Sequence, residues 1–541
     1  MAQQKNIKRF ISNPLVQTFL IYVSAGWIVL EMTDYFIDNY GINETFRDVL
    51  LIIMLAGLPV ALLLSWYLSR DKQEEDDDLE AVPDKKPPGL IKVMLTRPWF
   101  SIPGTVMFIL IIFSLIRLVY RHSSGITDNL SQSQAEISLA VLPFSNFTGD
   151  PGQDWLVEGQ QDRLIHELSI LSQFRPLRVI SRSTVNSFKN QDKPVAQIAR
   201  EIDVEYLVEA SVMYVDNEIT LQLRLIDIYP EENVVWAESC SSEFTNIHGL
   251  HREIAGDIAE KMNLGMSPQE WEQFPATRQV NLESYQAYLR GMYEINKLTR
   301  EGRDRGLEYL HEAVSIDPGE PFAYAGLALG YCEIAHSPLD PGDALEKAEA
   351  AAYQAMKLDP TMAEVYEALG QVYLYKTWEY DKAKEHLEKA IEINPNLAAA
   401  HYHYSWGLYL WGDIEKAIEE HLLARKYDPF NASYTSLLGA LYCFDGQYEK
   451  AIEEAQKALE MQEDHVYSYW VLGTTYLEMG KTEEAINAHQ KLVEISPGWS
   501  WVLGRTFALT GQIEKAEEIL SEIEKKKART WTIHARIVMY A

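Results

Sequence analysis

Cysteine is scarce. The chain has three in 541 residues, Cys240, Cys332 and Cys443, far apart and with no C-x-x-C pair. That excludes a disulfide framework and a cysteine zinc site, and leaves three small buried hydrophobes as the plain reading. Positive charge is also in deficit: 48 Lys and Arg stand against 79 Asp and Glu, a net charge of −31. So acidic a surface repels phosphate backbones, which excludes nucleic acid as a partner and attracts basic ones instead. Catalytic signatures are missing too. There is no G-x-x-x-x-G-K-[ST] loop, no H-E-x-x-H, no nucleophile elbow and no convergent set of His, Asp and Cys. No enzymatic activity, cofactor or metal is therefore expected.

Apolar residues are abundant where the chain begins. Three runs, 15–37, 49–68 and 99–120, each approach the ~20 residues that a helix needs to cross ~30 Å of hydrocarbon. Tyr35, Phe36, Trp66, Tyr67, Trp99 and Tyr120 flank them as interfacial aromatics do. Residues 1–121 are expected to form a membrane anchor of three transmembrane helices that contacts the lipid bilayer. Glu31 is its intramembrane polar candidate. Lys5, Lys8 and Arg9 lie before the first run, and six Lys and Arg lie between the second and third. By the positive-inside rule this implies a multi-pass protein of a bacterial inner membrane, its N-terminus cytoplasmic and everything after residue 121 periplasmic.

Residues 122–136 read as a linker, and residues 137–265 as a small α/β domain. Leu139 to Phe144 is a buried strand, and Trp155 to Leu171 has helical spacing. Tyr206–Val215 and Ile219–Asp227 alternate like paired strands around an Asp216-Asn217 turn, with a further strand at Val234–Glu238. Asp150, Asp154, Glu158 and Asp162 fall at a helix start, where carboxylates suit the helix dipole. The run Leu139-Ala-Val-Leu-Pro-Phe, then Thr148-Gly-Asp-Pro, Glu158-Gly159, Arg178-Val-Ile-Ser-Arg182 and Val235-Trp-Ala-Glu238 resembles the TolB-like N-terminal domain of bacterial signalling proteins. That resemblance implies a domain placed between an effector and C-terminal repeats, and it brings no chemistry of its own.

From residue 284 to residue 541 the chain repeats itself. Pro360, Pro395, Pro429, Glu463 in a proline slot, and Pro497 are spaced by 35, 34, 34 and 34 residues. Ala348, Ala383, Ala417, Ala451, Ala485 and Ala516 share one slot, and Tyr331, Tyr373, Tyr442 and Tyr476 another. Small residues let paired helices approach, and the aromatics fill the gap to the next repeat. The pattern resembles the tetratricopeptide repeat, in about seven units, with Thr530–Ala541 reading as the start of another first helix. The resemblance implies an all-α solenoid whose first helices line a partner-binding groove. In this register the groove residues are Glu367, Tyr375, Tyr402, Trp406, Tyr409, Phe444, Tyr467 and Trp470. Aromatics beside carboxylates suit proteins or peptides. His401 and His403, two apart, point to different sides of a helix and make a poor metal pair. The expected fold class is multidomain: three transmembrane helices, a small α/β domain, then an all-α tetratricopeptide-repeat solenoid. The expected function is a membrane-anchored interaction scaffold; the alternative is a signal-sensing receptor that couples the repeats to a separate effector.

Overall fold

A computed structural model describes residues 136–189, 191–274, 278–335 and 343–525. Within them a six-stranded sheet has the order β3-β1-β4-β5-β6, with β2 also pairing β4. Strands β1 (Ile137–Val141), β2 (Ser145–Asn146) and β3 (Leu177–Val179) form the parallel part with β4 (Tyr206–Val215). β5 (Glu218–Asp227) and β6 (Asn233–Glu243) add an antiparallel meander. β1 is apolar on both faces because both are covered. Leu139 and Val141 pack under α1 (Asp154–Ile170) and α4 (Ile247–Lys261), while Ala140 and Leu142 pack on α2 (Arg182–Asn186) and α3 (Val195–Ile202). Burial on both sides is what a parallel central strand requires.

A short helix, α5 (Pro268–Gln273), opened by a capping box at Ser267 and Glu270, leads to seven antiparallel helix pairs. They are α6 (Leu282–Ile295) with α7 (Arg300–Ile316), α8 (Pro321–Ala335) with α9 (Ala344–Leu358), and α10 (Ala363–Val372) with α11 (Tyr380–Ile393). Next come α12 (Ala398–Leu410) with α13 (Ile414–Tyr427) and α14 (Ala432–Phe444) with α15 (Tyr448–Met461). α16 (Val466–Glu478) with α17 (Thr482–Ile495) and α18 (Ser500–Leu509) with α19 (Ile513–Lys525) complete the series. Gly412, Gly446, Gly480 and Gly511, all at positive φ, make the tight turn inside the last four pairs. The alanines of the repeated slot are all buried between the paired helices. First helices pack on the next first helix, as α6 on α8, α8 on α10, α10 on α12 and α14 on α16. Successive second helices do not pack so among the described residues. The first helices therefore form the inner side of the curve.

The expected fold class is corrected here. Among the described residues no helix is long and apolar enough to cross a membrane. The longest, α1 and α7, have 17 residues each and polar faces, short of an apolar span of ~20. What stands is a small α/β region joined to a helical solenoid. The three runs at 15–37, 49–68 and 99–120, and Glu31 with them, lie outside the described residues.

The join is built twice over. α6, the first helix of the first pair, gives Tyr285 and Leu289 to the α/β core. Gly159 of α1 makes room for it, since a Cβ there would lie 2.6 Å from Leu289 Cδ2. Beyond α6, the turns between successive pairs rest on the α/β domain. Asn396 accepts from the Val179 amide at 3.2 Å and donates to the Leu177 carbonyl at 2.9 Å. Asp428 accepts from the hydroxyls of Ser183 and Thr184 at 2.6 and 2.7 Å, and from Ser181. His166 of α1 meets Glu364 at 2.9 Å.

Candidate functional site

The inner face is formed where first helices of successive pairs present their unpaired sides. Glu367, one turn into α10, is 2 % exposed. Its carboxyl accepts from the Gln371 amide and stands 3.3 Å from His403 Nε2. Burial pushes it up to about 8, against the hydrogen bond from Gln371. Tyr375 lies in the wide turn that extends α10 (Tyr373–Thr377), its hydroxyl 3.2 Å from His403 Nδ1. Tyr402 of α12 sets its ring edge-on to His403, at 4.7 Å between centroids, and stacks on Tyr434 of α14 at 5.1 Å.

A second group runs across the later repeats. Trp406 contacts Tyr409 at 5.4 Å, and Tyr409 stacks on Phe444 at 4.7 Å. Phe444 meets Trp470 at 6.3 Å. Trp470 and Tyr467 both meet Trp499, at 6.3 and 5.8 Å, and Trp499 stacks on Trp501 at 6.0 Å. The eight residues read from the sequence thus fall into two sets. Glu367, Tyr375 and Tyr402 gather around His403, while Trp406, Tyr409, Phe444, Tyr467 and Trp470 form an aromatic row. Phe444 is 39 % exposed, so part of this row faces solvent.

Sequence reasoning missed Tyr434, Trp499, Trp501, His403 as the centre of a cluster, and Glu333. Tyr434 stands five residues after Pro429, the slot filled by buried Val365 and Ala400 in earlier repeats. Periodicity therefore reads it as packing. Trp499 ends a 3-10 turn (Pro497–Trp499), outside any periodic helix.

Behind the inner face, buried histidines tie the helices together. His421 bonds Ser405 Oγ at 2.9 Å and the Tyr434 carbonyl at 2.7 Å. His489 bonds Thr506 Oγ1 at 2.7 Å, and His465 bonds Ser468 Oγ at 2.9 Å. Burial lowers all three to about 4. A folded-state value below the unfolded one of ~6.5 means stability is complete above pH ~6.5 and declines as pH falls toward 4, because only the unfolded chain takes up the protons. Glu367 acts the other way: its contribution is complete below the ordinary carboxylate range and is lost as pH rises through about 8. Three histidines outweigh one carboxyl, so the urea midpoint is expected to fall steadily from pH 6.5 to 4.5. His489→Gln should make that slope shallower. A midpoint level between pH 7 and 5 would contradict this assignment.

Other clusters are already satisfied. Glu158 pairs with Arg182 and Lys189 at 3.1 and 2.7 Å, Asp162 with Arg182 at 2.9 Å, and Asp150 caps the Gly152 amide at 2.8 Å. A cleft of about 1010 Å³ over the uncovered polar side of the sheet is lined by the Glu158–Lys189 and Glu209–Arg224 pairs, whose charges are matched within the domain. His401 bonds Glu420 and the Pro395 carbonyl, and among the described residues no group of three or more His, Cys, Asp or Glu could hold a metal ion.

Tetratricopeptide-repeat family models match residues 363–397 and 430–497, which are α10–α11 and α14–α17 with their turns. The helical half thus contains tetratricopeptide repeats. Residues 134–256, likened above to TolB-like domains, match the model described as HilA/YgeH-like transcriptional regulator, second domain. The chain is 28% identical over 198 residues to a putative adenylate cyclase 3 of Rhizobium meliloti (strain 1021), covering 37% of this chain and 33% of that one. It is 21% identical over 312 residues to the transcriptional regulator HilA of Salmonella typhimurium, covering 55% of this chain and 52% of that one. It thus spans about a third and about half the length of these curated relatives. Among solved structures it is similar to PilW, a type IV pilus biogenesis factor, at 19% identity and a TM-score of 0.32, over 38% of this chain and 92% of that one. It is also similar to YrrB, a TPR protein with an unusual peptide-binding site, at 21% identity and a TM-score of 0.26, over 35% and 92%.

Proposed function

We infer that this protein is an interaction scaffold, in which the inner face of the repeat array captures a segment of a partner protein. The observation that carries the reading is the aromatic row from Trp406 to Trp499, which crosses four repeats and is only partly covered. Large, rigid rings aligned on one face give contact area at little entropic cost, which is what partner anchoring needs. The α/β domain, held on the edge of the array, is a second module carried at a fixed position. The partial likeness to a putative adenylate cyclase and to a transcriptional regulator supports a regulatory setting for this capture unit. Proximity labelling in the native cell would compare the intact chain with Phe444→Ser and with the triple variant Tyr402→Ala, Trp406→Ala, Trp470→Ala. Loss of the same partners from both, with helical circular dichroism unchanged for Phe444→Ser, is the expected result. An unchanged partner list would rule out the inner face as the working surface.

A further inference from the structure

The charges of the array are sorted by helix. The first helices α8, α10, α12, α14 and α16 contain no Lys or Arg at all, although these make up 48 of the 541 residues. Each second helix from α9 to α17 carries at least one. There the cations are held by carboxylates of the outer side, as in Lys382–Glu379, Lys416–Asp413 and Lys491–Glu494. Burial alone does not explain the sorting, because the first helices keep carboxylates: Glu333, Glu364, Glu367 and Glu478. Together these five helices thus carry carboxyl groups and no cation, whereas the first helices of the end pairs, α6 and α18, each carry one arginine, Arg290 and Arg505.

One of those carboxylates, Glu333, acts where the aromatics are. Glu333, exposed on α8, is among the charges that raise the phenols of Tyr402, Tyr434 and Tyr467, after burial itself. Glu367, protonated at neutral pH because of its burial, has Gln371 and His403 as partners and adds no charge, so the negative field on this face comes from Glu333. A negative potential over ring faces is the environment that an arginine or lysine side chain completes, by stacking on the ring and pairing with the carboxylate. An acidic or phosphorylated segment would meet repulsion at the same place.

We propose that the inner face selects a basic segment of its partner, with cationic side chains stacking on Tyr402, Tyr467 and Trp470 and pairing with Glu333. This rests on the scaffold reading above and adds the chemistry of the ligand. The test uses the full chain and two fluorescein-labelled probes, an (Arg-Ala)6 peptide and its (Glu-Ala)6 counterpart, by fluorescence anisotropy at 0.15 M salt. The basic probe is expected to bind and the acidic one to stay free. Glu333→Gln and Trp470→Leu should each weaken the basic probe by about fivefold. The double change Glu385→Gln, Glu419→Gln, on exposed second-helix positions, should alter it less than about twofold. The proposal is overturned if the basic probe stays free, if the acidic one binds as well, or if the outer double variant loses as much, since that is attraction to net charge alone. It is also overturned if sedimentation shows a self-associated chain that Trp470→Leu dissociates, or if the probe binds only after residues 526–541 are removed. In those cases the occupant is a second copy or the chain's own basic tail. If the probes fail while Phe444→Ser still loses its cellular partners, charge selection falls and the scaffold reading stands. If both fail, both fall.

Discussion

Replacing Tyr285 by alanine is expected to lower stability by about 3–5 kcal/mol, and to do so for the α/β domain and the early repeats together. Tyr285 belongs by position to the first repeat helix, yet its ring is 1 % exposed inside the α/β core. It touches Phe244 at 5.8 Å, His248 at 5.2 Å and Tyr288 at 5.5 Å between centroids. The close approach of α1 at Gly159 prevents the site from collapsing around a missing ring, so most of the cavity would remain. Urea unfolding would be followed by far-ultraviolet circular dichroism, dominated by the solenoid, and by hydrogen exchange of β1 and β4. One shared transition, moved to lower urea by both probes, is the expected result. A solenoid transition that stays in place while the strands exchange freely would mean that the two modules fold independently.

Asp428→Ala is expected to cost about 3 kcal/mol, through a different mechanism. The carboxylate sits in a turn between repeats, 3 % exposed, and accepts from Ser181, Ser183, Thr184 and Asn431. Thr184 Oγ1 in turn accepts from the Phe430 amide at 3.0 Å, and the Ser181 amide donates to the Tyr427 carbonyl at 2.9 Å. Alanine would strand three hydroxyls and an amide beside a buried seam. Asp428→Asn keeps the shape and part of the hydrogen bonding, so it should cost roughly half as much. The decisive readout is local: amide protection of residues 181–188 should fall before that of α14 and α15. Unchanged protection in 181–188, with stability within ~0.5 kcal/mol of the parent, would show that the seam is held elsewhere.

Much of this architecture is legible in the sequence for a physical reason. A repeat must bury the same small side chains at each interface, so Ala383, Ala417 and Ala451 recur in register and are completely buried. The β4–β5 hairpin is legible because one face is packed and one is wet. β6 is longer than its apolar part suggests, running to Glu243. Ser239, Ser241, Ser242 and Glu243 continue an exposed edge that hydrophobicity does not mark. The seam between domains was illegible. Asn396 and Asp428 stand where any repeat has turn residues, and their local role conceals partners more than 200 residues away. The inner face was legible in outline only. Its aromatics were found by slot, but Glu367, read as a displayed carboxylate, is buried beneath them, and Tyr434 leaves a packing slot to join them.

The contacts along the interrepeat turns also have a mechanical consequence. A free helical-repeat array behaves as a spring whose pitch changes with small rotations at each junction. Here the α/β domain grips the turns at Phe322, Glu364, Asn396 and Phe430, one at each of the first four junctions. It acts as a splint on that length of the coil. Compliance is left to the last two junctions, around His465 and Trp499. A partner entering from that end meets the soft part of the spring first, and the distances it must match farther in are already set.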